Sequence, residues 1–398
     1  MKATDIPYAD RANQSSGSCF RMIMAKKIRL YPTEIQEKLL FQSAGTARFI
    51  YNWTLGRQEE NYALGGQFIS DNDLRKEITQ MKKREEFAWL HEVSNNVAKQ
   101  AVKDACSAYR RFFQKLADKP RFKSRKRSKV SFYNDNMKLK FKDKSVLIEK
   151  VGWISIKPHD IPADSKYTNP RITHDGKYWY IAVGLHREET ETLLTGESLG
   201  IDLGIKQLAV CSNGKVYNNI NKTMKVRRKE KKLRRLQRSV SRKYEMNKEG
   251  GKVVKTRNII KLEKKIRLLH RSLRNIRSNH LHQTTSEIVK TKPSTVVMET
   301  LNIRGMMRNR HLAKAVAKQG FYELKRQLKY KCALYGIAFV EAGLWYPSSK
   351  ICSSCGHKKE KLSLSERMYE CEVCDVKIDR DFNASINLSR YEKSSLTS

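Results

Sequence analysis

The sequence predicts a multi-domain α/β protein, in which helices interrupt a β-rich region and a second α/β region carries a cysteine cluster. Three observations predict this fold class. The chain has 398 residues, and at roughly 100–200 residues per domain it is expected to form two or three domains. The apolar residues change from alternation to a helical period and back along the chain. Four of the eight cysteines lie close together, between residues 352 and 374.

The charge of the chain points to a polyanionic partner. There are 81 Lys and Arg residues against 41 Asp and Glu, a formal net charge of +40. Apolar residues make up 39%, which is enough for packed cores and excludes wholesale disorder. A compact body with this much like charge repels itself, and a polyanion relieves the repulsion. Because the excess is spread along the chain, nucleic acid is favoured over a membrane surface.

No membrane-spanning or exported segment is predicted. The chain has no run of 18 apolar residues, so no transmembrane helix is expected. Residues 1–23 are interpreted as a polar N-terminal extension, with Met22 or Met24 as alternative starts, and they lack the apolar core of a signal peptide. A reducing compartment is therefore expected.

The first strand is predicted at residues 24–32, where KKIRLYPT alternates and ends at a proline. Residues 33–117 repeat apolar groups at the helical period and are expected to form a helical domain. Residues 118–196 contain short β-branched and aromatic runs, with a hairpin turn at Asp175-Gly176. We expect the early strand to pair with these later ones in a small β-barrel, with the helices inserted between them.

The second α/β region is predicted at residues 197–350 and 376–398. It begins with antiparallel strands joined by an Asn213-Gly214 turn. Residues 221–280 are helical in pattern, with 23 Lys and Arg against 4 Asp and Glu, so we expect a packed helix with one cationic face. A strand STVVMET, a helix over about residues 311–335, a strand GIAFVEAG and a last short helix complete the region.

The cysteine cluster has the spacing of a zinc ribbon, predicted at residues 351–375. Two C-x₂-C pairs separated by fifteen residues supply four thiolate ligands, which suits one structural Zn²⁺ with no open position. The alternative of two disulfides is disfavoured by the reducing compartment. His357 is interpreted as a polar surface residue. The expected ligands are Cys352, Cys355, Cys371 and Cys374.

Three acidic residues lie where a metal-dependent phosphodiesterase would need them. Asp202 lies inside a buried-type strand, Glu299 at the end of another, and Asp381 on the last helix. Because an unpaired acid in an apolar strand is costly, both strand acids need a partner. Two Mg²⁺ ions about 4 Å apart would suit three such carboxylates, although a salt bridge or a strand-end position is the alternative for each acid alone. Asp375 and Asp379 compete with Asp381, but Asp375 follows a zinc ligand and Asp379 is better placed to cap the helix.

At these residues the chain resembles the TnpB family, the OrfB-type proteins of insertion sequences that are related to type V CRISPR effectors. The resemblance covers nearly the whole chain from about residue 24, in family order. The matching stretches are AGTARFIYNWTL (44–55), PRFKSRKRSKVSFY (120–133), GIDLGIKQLAV (200–210), VVMETLNIRGMMRN (296–309), YPSSKICSSCGHKK (346–359), RMYECEVC (367–374) and DRDFNASINL (379–388).

The resemblance implies a RuvC-like nuclease domain of RNase H fold with an inserted zinc ribbon, and a wedge β-barrel interrupted by a helical recognition domain. It implies an RNA-guided DNA endonuclease whose guide comes from the transposon end and which cuts beside a short transposon-adjacent motif. Asp202, Glu299 and Asp381 match the three RuvC acids, and all are intact, which argues against nuclease-dead repressor relatives. Two departures, Thr300 and Ser385, do not touch a ligand position.

Five basic residues are candidate nucleic-acid contacts. Lys206 and Lys350 are expected near the carboxylates. Arg121, Lys123 and Arg125 alternate with an aromatic residue in a segment that begins at a proline, a pattern that favours stacking and phosphate contact with RNA.

The function predicted from the sequence is a Mg²⁺-dependent, RNA-guided DNA endonuclease with a single site that cuts both strands in turn. The expected partners are a guide RNA and double-stranded target DNA, with one protein per guide and no membrane. The expected location is the prokaryotic cytoplasm, in association with the nucleoid when the protein is on DNA. One alternative is a guide-directed repressor or transposition accessory without useful cleavage. Another is a transposase or junction resolvase that needs no guide.

Overall fold

The computed structural model describes residues 22–125, 127–159, 161, 165–187, 192–363 and 365–392. Almost all of the predicted polar extension at residues 1–23 lies outside these described residues. The chain forms two compact units. We call them the N-terminal unit, with Ile23–His186 and Lys229–Arg274, and the C-terminal unit, with Arg187–Arg228 and the chain from Asn275 onward. None of the helices in the described ranges is long and apolar enough to cross a membrane.

A seven-stranded sheet forms one layer of the N-terminal unit. Its strands are β1 (Met22–Tyr31), β2 (Val130–Tyr133), β3 (Lys140–Lys142), β4 (Ser145–Ile148), β5 (Gly152–Ile156), β6 (Tyr167–His174) and β7 (Trp179–Arg187). β1 lies between β7 and β5, so the first strand pairs with later ones as the sequence predicts. The predicted Asp175-Gly176 turn joins β6 to β7. Because β2 and β3 stand at the two ends of the sheet, its closure into a barrel stays a prediction.

The predicted helical region lies between β1 and β2. Its helices are α1 (Glu34–Ala63), α2 (Asp71–Met81) and α3 (Asn95–Phe113). Thr33 begins α1 with a capping box, in which its hydroxyl accepts from the Gln36 N–H and the Gln36 side chain accepts from the Thr33 N–H. Ile50, Leu74 and Val102 are fully buried and give the three helices an apolar core of their own.

The second half of the chain contains the remaining elements. In chain order they are β8 (Ser198–Leu203), β9 (Gln207–Cys211), β10 (Val216–Asn218), α4 (Met224–Met246), β11 (Lys248–Glu249), β12 (Lys252–Val253), α5 (Arg257–Lys290), β13 (Thr295–Met298), α6 (Ile303–Arg308), α7 (Ala313–Gln319), α8 (Phe321–Leu334), β14 (Ala338–Glu341), β15 (Met368–Glu370), β16 (Lys377–Asp379) and α9 (Arg380–Ser389).

The basic stretch forms α4 and α5, joined by the β11–β12 hairpin, which the sequence analysis did not predict. On α4, Leu233 and Val240 are buried whereas Arg234 and Arg238 are exposed. This is the packed helix with one cationic face that the apolar period predicts.

A five-stranded sheet forms the centre of the C-terminal unit, in the order β10-β9-β8-β13-β14. β8, β9 and β10 are antiparallel neighbours, with the predicted Asn213-Gly214 turn between β9 and β10. β13 pairs in parallel with both β8 and β14. The carboxyl ends of β8, β13 and β14 therefore lie at the same edge of the sheet, which we call the carboxyl edge.

One predicted helix of this unit is two helices in the structure. The sequence predicts a single helix over about residues 311–335, but α7 ends and α8 begins at Gly320, which has φ of +72°. A left-handed residue ends an α-helix, and glycine adopts this conformation without a steric penalty. The predicted last helix is confirmed as α9, and β15 and β16 form an antiparallel pair within the cysteine segment.

Candidate functional site

Asp202 and Glu299 come together at the carboxyl edge. Asp202 lies within β8, and Glu299 directly follows β13. The parallel register pairs Met298 with Ile201, so the residues that follow them, Glu299 and Asp202, are neighbours. The Leu203 N–H donates to a carboxylate oxygen of Glu299 over 2.7 Å and fixes this side chain against β8.

Asp381 reaches the same edge from the first turn of α9. Asp379 caps this helix, as predicted, and its carboxylate accepts from the Asp381 N–H over 3.0 Å. α9 packs directly against β8. The close approach depends on Gly200, because a Cβ at this position would lie 2.0 Å from the Ser385 carbonyl oxygen of α9. The missing side chain lets the helix bring Asp381 close to the strand acids.

The three carboxylates are electrostatically coupled. Burial raises the pKa of Asp202 well above its usual range, and the negative charges of Glu299 and Asp381 raise it further. Burial also raises the pKa of Glu299 to about 7, an effect that the Leu203 N–H opposes and Asp381 reinforces. Acids held in such an environment are a frequent property of functional sites.

The donor set fits hard divalent cations. Carboxylate oxygens are the ligands that Mg²⁺ takes in proteins, and a cation would relieve the repulsion that adds to the effect of burial on both pKa values. The nearby Arg380 guanidinium lies 3.6 Å from Asp381. In the described part of the chain, the ligand oxygens of the three carboxylates do not all lie within 4.8 Å of one another.

The raised pKa values predict that the metal-free protein loses stability as the pH rises. In the folded chain Glu299 holds its proton up to about pH 7, against an ordinary value of 4.5. Between these values the folded state binds more protons than the unfolded state, so the free energy of unfolding falls with rising pH. Thermal unfolding without metal between about pH 5 and about pH 8 should show a larger loss of melting temperature in the wild type than in Glu299→Gln. Equal pH dependence in the two proteins would contradict the burial of this charge.

The four predicted zinc ligands converge. The Sγ atoms of Cys352, Cys355, Cys371 and Cys374 all lie within 4.8 Å of one another, so this group can hold a metal ion. The Val373 N–H donates to the Cys371 sulfur over 3.5 Å, a bond that favours the metal-binding thiolate at this position.

Two asparagines that sequence reasoning missed connect this cluster to α9. The Asn383 side chain donates to the Ile351 carbonyl over 2.7 Å and accepts from the Ser353 N–H over 2.9 Å. The Asn387 side chain donates to the Ser348 carbonyl over 2.8 Å. Both asparagines are buried. Their spacing of four residues, which places both amides on one helix face, is the sequence feature that could have revealed them.

The five predicted nucleic-acid contacts have different surroundings in the structure. Lys206 is exposed in the turn after β8, and the Lys350 ammonium donates to the Glu360 carbonyl over 2.7 Å. Arg121 and Arg125 are exposed. Lys123 instead packs its ammonium 3.3 Å from the Tyr51 ring centroid, where burial lowers its pKa. Its contact with nucleic acid stays a prediction, and so do the others.

Comparison with known proteins identifies the family. The chain matches the IS605 OrfB family, described as "Probable transposase", over residues 180–310, a "Helix-turn-helix domain" of the same family over 22–67, and "Cas12f1-like, TNB domain" over 321–388. A Streptomyces pristinaespiralis protein named "Putative RNA-guided DNA endonuclease" is 31% identical over 371 residues, which cover 92% of this chain and 88% of that protein. The chain belongs to the TnpB family.

Two further similarities extend over more than nine tenths of the TnpB chain. "Putative RNA-guided DNA endonuclease InsQ" of Escherichia coli (strain K12) is 29% identical over 384 residues, 92% of each chain. A cryo-EM structure of a Cas12f1-sgRNA-target DNA complex matches with a TM-score of 0.60 at 14% identity, over 93% of this chain and 99% of that one. At this identity the match shows a shared multi-domain α/β fold.

Proposed function

We propose that this TnpB chain is a transposon-encoded, RNA-guided DNA endonuclease with its nuclease centre at Asp202, Glu299 and Asp381. The observation that carries the proposal is their convergence: three acids from separate segments meet at the carboxyl edge, where Asp381 adds to the raised pKa values of Asp202 and Glu299. Three antiparallel strands followed by two parallel ones is also the arrangement of an RNase H fold, which supports a RuvC-like domain.

The roles of the chain's own residues follow from this geometry. The three carboxylates hold Mg²⁺, and the Leu203 N–H orients the Glu299 carboxylate. When bound, Mg²⁺ supplies activation of a water and stabilisation of the leaving oxygen of a phosphodiester. The four cysteines hold one Zn²⁺, and the two buried asparagines let this ribbon brace α9 beneath Asp381. A single centre would cut the two DNA strands in turn.

The assignment of the nucleic-acid partners depends on the net charge of the chain and on its family. A net charge of +40 fits a protein that holds a guide RNA and its DNA target by their backbones. In guided nucleases base pairing reads the sequence, and the protein reads a short flanking motif. The names of the two relatives agree with this assignment.

The proposal is tested by purifying the protein, sequencing the RNA that copurifies with it, and adding Mg²⁺ and a duplex complementary to that RNA. We expect a discrete RNA and cleavage that requires both it and a flanking motif. A repressor would retain the duplex uncut. A transposase or resolvase would act on DNA after the RNA has been removed. Either result would overturn the proposal.

A further inference from the structure

A short turn after β14 lies beside the nuclease centre. Ala342 continues β14, and its N–H donates to the Met298 carbonyl over 2.9 Å. Its own carbonyl accepts from the Thr300 hydroxyl over 2.7 Å. Because Glu299 lies between Met298 and Thr300, the chain leaves β14 beside the backbone of Glu299. The following residues 343–346, which we call the edge turn, therefore begin at the carboxyl edge.

The edge turn is held in place at both ends. The Gly343 N–H donates to the Tyr391 hydroxyl over 3.2 Å, and the Tyr346 N–H donates to the Gly343 carbonyl over 3.0 Å. The Tyr346 hydroxyl donates to the Asn387 carbonyl of α9 over 3.1 Å. The two tyrosine rings pack edge to face at 4.8 Å. The turn is thus fastened to the helix that carries Asp381.

Trp345 projects from this fixed turn into solvent. It is 89% exposed, and the neighbouring Leu344 is 46% exposed. Tryptophan is usually largely buried, because its surface is mostly apolar. Within the described residues the indole makes no ring contact with another aromatic group or a cation. A turn held in place by hydrogen bonds, an exposed aromatic face and a position at the carboxyl edge are the features expected of a stacking platform for a base.

We propose that Trp345 stacks on an unpaired base of the DNA strand whose phosphodiester lies at the carboxylates, and so positions that strand for cleavage. The proposal deepens the proposed function and rests on it for the identity of the ligand. Stacking requires an unpaired base, so the ligand is single-stranded DNA. Lys206, exposed in the turn after β8 at the same edge, is placed to contact a phosphate of that strand. A lysine ammonium contacts a phosphate as a point charge, whereas an indole stacks on the face of a base.

The first test measures binding without cleavage. A short single-stranded DNA with a central 2-aminopurine is titrated onto the purified protein, with whatever RNA it carries, in Ca²⁺. We expect the wild type to quench the 2-aminopurine, Trp345→Ala to weaken binding roughly tenfold and lose the quenching, and Trp345→Phe to retain most of both. Tyr322→Ala is the matched control, since Tyr322 is 70% exposed on α8 of the same unit. Equal titrations for the wild type and Trp345→Ala would overturn the proposal.

The second test separates this inference from the proposed function. Guided duplexes carry one abasic site at successive positions beside the cut. At one of these positions, the abasic site should slow cleavage by the wild type roughly tenfold. Trp345→Ala should already cut the intact duplex about tenfold more slowly, and the abasic site should not slow this variant further. If the effects of the abasic site and of Trp345→Ala on the cleavage rate add, or if Trp345→Ala cuts at the wild-type rate, the stacking role of Trp345 is refuted. The proposed endonuclease function is not affected by either result. A wild type that cuts no guided duplex would instead refute the proposed function, and the binding test alone would then decide the role of Trp345.

Discussion

Asp202→Ala is expected to lower the rate of guided DNA cleavage by roughly three orders of magnitude or more. Asp202 is the acid whose pKa both other carboxylates raise, so its removal takes away the ligand at the centre of the group. The folded protein should be unharmed, because the substitution also removes a buried charge and its repulsion. Single-turnover cleavage of a guided duplex in saturating Mg²⁺ measures the first effect, and the melting temperature measures the second.

The matched control is Glu341→Ala. Glu341 ends β14 in register with Met298, and its carboxylate pairs with Lys325 over 2.9 Å. This variant removes an acid from the same sheet and is expected to cut within a few-fold of the wild type. Target binding should survive in both variants. Cleavage by Asp202→Ala at the wild-type rate, or an equal loss in the two proteins, would refute the assignment of the nuclease centre.

Gly200→Ala is expected to have the second largest effect, although it adds only a methyl group. The new Cβ would lie 2.0 Å from the Ser385 carbonyl oxygen and 2.4 Å from the Ser389 nitrogen, both in the backbone of α9. Neither atom can rotate away, so the helix must move. We expect a loss of about 1–3 kcal/mol in the free energy of unfolding. Because Asp381 lies on this helix, cleavage should also fall by about a hundredfold.

Gly196→Ala provides the comparison. A Cβ at Gly196, in the same unit, has no heavy atom within 4 Å, so stability and cleavage should stay near the wild-type values. Chemical denaturation and single-turnover cleavage of both variants measure the two effects. Full activity in Gly200→Ala would show that α9 does not need this close approach to β8.

Local chemistry made part of this structure predictable. Asp379 was recognised as a helix cap because a short acid before a helical pattern satisfies free N–H groups, and it does so here. The convergence of the four cysteines was predictable because the spacing of the two C-x₂-C pairs is typical of zinc ligands. The three acids could be proposed because a carboxylate beside an apolar strand needs a partner. Their register across β8 and β13 required the parallel pairing itself.

The remaining features depend on contacts between distant segments. The break at Gly320 cannot be predicted from the apolar period, because this period continues from α7 into α8. The sequence predicts a nucleic-acid contact for Lys123, because nothing nearby in sequence shows that the Tyr51 ring lies beside its ammonium. The role of Gly200 belongs to α9, a helix formed far along the chain. Each is decided by a neighbour that local patterns do not contain.

The position of Asp381 on α9 has a consequence for biosynthesis. Two of the carboxylates are made early, but the third lies on a helix that follows the cysteine cluster. If the three acids form the nuclease centre, a nascent chain whose α9 is still inside the ribosome would lack one of the metal ligands. A product that stops before this helix would lack the same ligand. Chain order would then delay assembly of the proposed centre until synthesis has passed Asp381.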